Sequence, residues 1–317
     1  MNNNIKNPVS TIIGESNLKR KLKYVSSNYE LYIMIIPVIV FYAIFMYWPM
    51  YGVLMAFQNY KPMLGIGGSE WIGLDNFVAF FNSVNFTRVL KNTLSISIGT
   101  LLFSFPTPIL LALSINEVRN KHFKKMVQTV TYMPHFISLV IVCSLVREFT
   151  ADTGIINELA QLFGYSGKTM LSQPKLFVPI YIISGIWQEI GWNSIIYLAA
   201  LSSIDAQLYE AAEIDGAGKL AQTVHVTLPG LLPTIIILFI MKMGTLLSVG
   251  YEKILLLYNP GIYDTADVIS TYVYRLGFES ANYSSSTAIG LFNSVINITL
   301  LCITNKVCDK INGTSLF

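Results

Sequence analysis

Charge is what this sequence has least of. Asp, Glu, Lys and Arg make up 12% of its 317 residues, where soluble domains carry about 25%. Apolar residues make up 53%, and the mean hydropathy is +0.54. A chain this apolar must either hide an unusually large core or use lipid as its solvent. The net charge of +3 gives no electrostatic reason to expect nucleic acid as a partner. Cysteine is scarce: Cys143, Cys302 and Cys308 are odd in number and lie in or beside apolar runs, which reads as reduced filler and not as a disulfide framework. The histidines, His122, His135 and His225, are far apart and give no ligand-spaced cluster, so no metal is expected. Internal repeats and low-complexity tracts are also missing.

Long apolar runs, by contrast, are plentiful. A helix needs about 20 mostly apolar residues to cross the bilayer. Six segments qualify: 31–55, 94–115, 127–146, 176–200, 231–257 and 287–304. Pro106, Pro108 and Pro179 fall inside spans, where neighbouring helices can satisfy the freed backbone groups. The first span is too long, and begins too late, for a cleaved signal peptide, and is expected to be retained. The fold class is therefore an all-α integral membrane protein with six transmembrane helices. Its expected parts are a tail over 1–30, the first helix over 31–57, a loop over 58–89, the remaining spans over 90–305, and a tail over 306–317.

Lys and Arg in the loops set the orientation. Lys6, Lys19, Arg20, Lys21 and Lys23 precede span one, Arg119, Lys121, Lys124 and Lys125 follow span two, and Lys219, Lys306 and Lys310 share their side. The opposite loops hold Lys61, Arg88, Lys91, Arg147, Lys168, Lys175, Lys253 and Arg275. The clusters close to the spans decide the matter, and both termini are expected in the cytoplasm of a multi-pass cell-membrane protein. In the outward loop after span one, Phe77, Phe80, Phe81 and Phe86 suggest a short amphipathic helix at the interface.

The loop over 203–229, between spans four and five, is the most informative stretch. Ala, Leu and Glu over 206–213 are strong helix formers, and Ser203 is placed to cap them. Asp215-Gly216 offers a turn in which glycine tolerates positive φ. A second helix is expected over 220–227, ended by Pro229. An amphipathic loop helix in solvent would account for the composition. Yet small residues at Ala211, Ala212, Gly216, Ala217 and Gly218, flanked by Glu210, Glu213 and Asp215, leave a surface that another protein can approach closely.

The run Glu210-Ala211-Ala212, then Asp215-Gly216-Ala217, then Leu228-Pro229 resembles the EAA loop of permeases of ATP-binding-cassette importers. The helix before it, with Ala199-Ala200-Leu201 leading into the loop, is similar too. The resemblance covers about 90–305 as a MetI-like core. Tyr51-Gly52, Ala56-Phe57-Gln58-Asn59-Tyr60-Lys61-Pro62 and Trp71-Ile72-Gly73-Leu74-Asp75-Asn76-Phe77 resemble the polysaccharide-type (LplB-like) sugar permeases. This resemblance implies that 210–217 forms a coupling helix, in which Glu210, Ala211, Ala212, Asp215, Gly216 and Ala217 dock on a cytosolic ABC ATPase dimer. It further implies a second permease subunit, an extracytoplasmic solute-binding protein and a carbohydrate substrate, an oligosaccharide, moved by alternating access. ATP and magnesium would be bound by the ATPase, with no cofactor in this chain. No catalytic residue is expected. Gly167-Lys168-Thr169 resembles the end of a P-loop, but position 162 is Leu where that motif needs glycine.

Polar groups at membrane depth mark a pathway or glue between helices. Span four carries Trp187, Gln188, Glu189, Trp192 and Asn193, span five Lys242 and Thr245, and span six Asn293 and Asn297. Sugars are held by aromatic faces together with planar hydrogen-bonding groups. Trp187, Gln188, Trp192, Asn193, Lys242, Thr245 and Asn293 are the candidate substrate pathway, with interhelical glue as the alternative for each and a Glu189–Lys242 ion pair as one form of it. A self-contained secondary transporter or channel is the competing class. Against it stand the missing repeat and the few acids within the spans.

Overall fold

The computed structural model describes residues 27–317. The basic cluster at 19–23 and most of the tail expected over 1–30 lie outside the described residues. The chain divides into two units, one ending at Leu54 and the other running from Met55 to Phe317.

In the first unit, α1 (Tyr29–Tyr42) passes into a π turn over Ala43–Tyr47. The helical run Tyr29–Phe57 has a mean hydropathy of 2.2, and none of its most apolar window is buried. A helix that is apolar all round needs lipid or protein on every side.

The second unit opens with a short antiparallel pair, β1 (Gln58–Asn59) and β2 (Glu70–Trp71), in register Gln58↔Trp71. Next come α2 (Asp75–Phe81), α3 (Val84–Ser104) and α4 (Pro106–Glu117). The helix expected around Phe77–Phe81 is present, but Phe80 is buried against Phe86, Tyr272 and Phe292, so its aromatics pack largely into protein. Pro106 sits at the first turn of α4, where a missing N–H costs little, and Val84–Glu117 forms one candidate span.

The third expected span is broken. α5 (Lys121–Tyr132) ends in a 3-10 turn over Met133–Phe136, and α6 (Leu139–Phe149) leaves at 100°. Pro134 lies in the turn, Ile137 and Ser138 are extended, and the Ser138 hydroxyl caps the new helix by accepting from the Ile141 N–H at 3.4 Å. A short α7 (Ile155–Gln161) precedes α8 (Pro174–Ser202), the helix at the centre of the unit. α8 packs against α3, α4 and α5. At Gly191 a Cβ would stand 2.1 Å from the Thr131 carbonyl oxygen, so only glycine lets α8 touch the α5 backbone.

The loop that follows holds α9 (Ala206–Ile214) and α10 (Lys219–Gln222), then a π turn over Thr223–Thr227 and α11 (Leu228–Met243). Pro229 therefore does not end a helix: Lys219–Met243 is continuous. A proline ring collides with the carbonyl four residues back, here His225, which lies inside the wider π turn. The fifth span also stops earlier than expected. α11 ends at Met243, and α12 (Tyr251–Leu257) is separate. Gly244 fits beneath Leu301, and the Leu247 N–H is taken by Asn297 Oδ1 at 3.0 Å instead of a helical carbonyl.

α13 (Tyr263–Ala266), α14 (Ile269–Tyr274) and α15 (Tyr283–Asn312) complete the unit. Asp267, between α13 and α14, is fully buried. Arg275 donates to both of its carboxylate oxygens at 2.8 and 2.6 Å, Arg88 of α3 donates at 3.3 Å, and the Thr271 hydroxyl donates at 2.8 Å. Asn92 binds the Asp267 carbonyl at 2.9 Å. Burial works against the Arg275 charge, but the bonds and attraction of Asp267 outweigh it and raise its pKa. Burial and the hydrogen bond to Tyr263 push the nearby Tyr258 phenol up to about 12.

Four helices of the described residues are long and apolar enough to cross a membrane, and the bent pair makes a fifth. α8 has the length, at 29 residues, but Gln188, Glu189 and Asn193 lower its apolarity.

Candidate functional site

Two features carry chemistry: the loop around α9, and a cavity between α4, α8 and α11.

α9 is capped by Asp205, whose Oδ1 accepts from the Gln207 N–H at 2.9 Å. Ser203, the expected cap, instead donates its hydroxyl to the Ala200 carbonyl at 2.7 Å and belongs to the end of α8. The expected turn lies at Gly216, with φ +77°. The Gly216 N–H bonds the Glu213 carbonyl and the Ala217 N–H reaches back to Ala212, at 3.0 and 2.9 Å. This Schellman closure satisfies the last carbonyls and favours glycine at the left-handed position. Open space surrounds the missing Cβ of Gly216.

No residue of α9 is buried. Glu210, Ala211, Asp215 and Gly216 are exposed, Ala212 and Ala217 half-buried. Leu208 and Ile214 on α9 and Leu220 on α10 are 54, 87 and 84% exposed, so the loop presents apolar side chains to solvent. Few bonds tie α9 to the bundle. The Tyr209 and Thr227 hydroxyls meet at 3.0 Å, Gln222 donates to the Ala217 carbonyl at 3.1 Å, and Lys219 pairs with Glu117 at 3.8 Å in solvent, where such pairs contribute little.

The cavity between the helices measures about 310 Å³. Trp192, Asn193, Tyr197, Ser104 and Lys242 line it, with Phe105 and Leu238 among the apolar walls. The Trp192 ring is held by a stacked neighbour. His135 stacks on it at 4.3 Å with the planes 4° apart, and His135 Nδ1 meets Glu189 Oε2 at 3.0 Å. The expected Glu189–Lys242 pair does not form, because Glu189 is turned to His135. The Lys242 ammonium makes no hydrogen bond or ion pair among the described residues.

The other pathway candidates are placed differently. Trp187 faces a separate apolar cavity of about 440 Å³, shared with Phe149 and Ile183. Gln188, one turn from Trp192, is buried. The Thr245 hydroxyl bonds the Lys242 carbonyl at 3.2 Å. Asn293 has a buried Oδ1 without a hydrogen-bond partner among the described residues, whereas Asn297 holds Leu247 and Ser248 and acts as glue. Sequence reasoning missed His135 as a partner of Glu189 because 54 residues separate them. Lys253, counted there with the outward loops, is buried, donating to the Tyr181 carbonyl at 3.0 Å with its ammonium 4.7 Å from the Tyr181 ring. Around Gly167-Lys168-Thr169, Asn157 and Tyr165 bind the Lys168 carbonyl, as in an ordinary packed loop.

A multi-pass helical bundle with a polar-walled cavity and an exposed loop helix is the architecture of a transport subunit. The chain belongs to the family of binding-protein-dependent transport system inner membrane components, which matches residues 104–308. It is 43% identical to the polygalacturonan/rhamnogalacturonan transport system permease protein YteP of Bacillus subtilis (strain 168), over 98% of this chain and 97% of the relative. It is also 43% identical to protein LplB of the same organism, over 90% of this chain and 91% of LplB. Among solved structures, it is similar to a chain of a bacterial ABC transporter involved in the import of the acidic polysaccharide alginate. There the TM-score is 0.86 and the identity 46%, covering 92% of this chain and 99% of that one. The MetI-like, polysaccharide-type resemblance read from the motifs agrees with these relatives.

Proposed function

We propose that the protein is the permease subunit of an ATP-binding-cassette importer and moves an oligosaccharide into the cell. The relatives' transport of polygalacturonan/rhamnogalacturonan and of alginate supports a carbohydrate cargo. The observation that carries the coupling role is α9, a capped helix with no buried residue, with exposed apolar side chains and with Glu210, Glu213 and Asp215 making no ion pair among the described residues. A helix held by so few internal contacts gains its packing from a partner. That partner is a cytosolic ATPase dimer, which binds the ATP and magnesium, so the chain itself needs no cofactor and carries no catalytic residue. A second permease completes the pathway. An extracytoplasmic binding protein delivers the sugar, a part that a related alginate transporter, crystallised with an alginate pentasaccharide-bound periplasmic protein, supports by analogy. α8 is the sixth crossing. Of its polar side chains, Asn193 lines the cavity, Gln188 is buried and Glu189 meets His135, so each is sheltered from lipid by protein or cavity, and both termini lie in the cytoplasm.

In this cycle, ATP closes the ATPase dimer, α9 travels with it, and the helices rock to open the cavity outward. Hydrolysis returns the cavity to the cytoplasm. Trp192 offers a flat face for a pyranose ring, and Asn193 offers a planar donor and acceptor for its hydroxyls.

The test is a pull-down from membranes in mild detergent, wild type against Gly216→Asp. An ATPase and a second permease should accompany the wild type, and the variant should lose the ATPase while keeping the permease. Absence of an ATPase from both would sink the coupling reading and bring a self-contained transporter forward.

A further inference from the structure

We infer that Lys242 reads a carboxylate on the transported sugar, so that the cargo is a uronate-bearing oligosaccharide; this rests on the carbohydrate reading above. Lys242 stands on the wall of the same cavity as Trp192 and Asn193. It is exposed there and has no acceptor or acid within bonding distance among the described residues. An ammonium at membrane depth is costly unless it meets an anion or marks a pathway.

The neighbouring charges strengthen the point. α11 contains no carboxylate, and the one acid of α8, Glu189, is turned to His135 at 3.0 Å. The same His135 ring stacks behind Trp192. This arrangement presents an aromatic platform beside a lone cation, with the competing carboxylate occupied elsewhere. A pyranose that stacks on Trp192 and carries an acid group satisfies both. A neutral sugar leaves the ammonium unpaired, and unpaired buried charges reject ligands.

Position in the last turn of α11 gives Lys242 a second source of stabilisation, because a cation there complements the helix dipole. That role does not depend on the cargo, and the experiment separates the two. Cells whose own copy of the gene carries Lys242→Gln or Lys242→Arg are given labelled trigalacturonate, its methyl ester and a neutral galactose trisaccharide. Uptake is normalised to the amount of subunit in the membrane.

Wild type should import trigalacturonate. Lys242→Gln should lower that uptake about tenfold while changing neutral uptake less than twofold, as expected for a lost charge-assisted bond, and Lys242→Arg should restore most of it. An equal loss for charged and neutral sugars overturns the inference and leaves a structural lysine. Wild-type import of neutral trisaccharide alone also overturns it, with the carbohydrate reading intact. Import of no sugar removes the carbohydrate reading, and the inference with it.

Discussion

At Asp267 two guanidinium groups, a hydroxyl and the bonds of an amide side chain converge on one fully buried residue. Around α9, Glu210, Glu213 and Asp215 make no ion pair among the described residues, and nothing on the helix is buried. Both regions are charged and both connect helices, yet one is sealed by its own chain and the other is left open. Polar groups sealed within a protein fix its geometry, because removing one leaves a partner's hydrogen bond or charge unmet. Polar groups left in solvent cost the fold little and remain free for a partner. The contrast separates a part of the bundle that holds its shape by internal bonds from a part left available to a partner.

The largest expected effect lies on the sealed side. Asp267→Ala leaves Arg88 and Arg275 without their acid, and breaking such a buried pair costs about 3–5 kcal/mol. Thermal unfolding in detergent should show a large drop, with any surviving protein still able to bind the proposed ATPase. An unchanged melting temperature would mean that the network contributes nothing. Next comes Gly191→Ala, where the added methyl meets the Thr131 carbonyl. Forcing α8 from α5 should cost about 1–3 kcal/mol, and tryptophan fluorescence should report the displaced Trp192. The smallest effect on stability is expected on the open side. Asp205→Ala removes the cap of α9 at a cost of about 1 kcal/mol, barely moving the melt while loosening ATPase co-purification. A variant that unfolded the bundle instead would erase the distinction between the regions.

The open region was legible because its signals are local. The acidic, alanine-rich run and Asp215-Gly216 announce a helix and its stop within a dozen residues, and Gly216 takes the positive φ expected of it. Even there the cap moved from Ser203 to Asp205, since Ser203 finds the last carbonyls of α8 first. The membrane character was legible from apolar run length. Breaks within the runs were not. Pro134 and Ser138 end α5 and start α6, a signal present in the sequence but outweighed by continuous hydropathy. The end of α11 depends on Asn297, 50 residues downstream of the Leu247 amide it binds. Trp192, Asn193 and Lys242 line one cavity, whereas Trp187 faces another. The ties that orient them, such as His135 to Glu189, depend on tertiary contact, which spacing along the chain does not encode.

The π turn at Thr223–Thr227 gives the helix Lys219–Met243 a mechanical character. Because the π turn carries the chain past Pro229 without breaking the helix, the loop at one end and Lys242 at the other lie on one continuous helix, and if it tilts as a unit it acts as a lever arm. At 1.5 Å per residue the arm is about 35 Å long, and a tilt of about 10° at its base sweeps Lys242 through roughly 6 Å. A small rotation applied at the loop end would thereby become a several-fold larger displacement at the cavity wall.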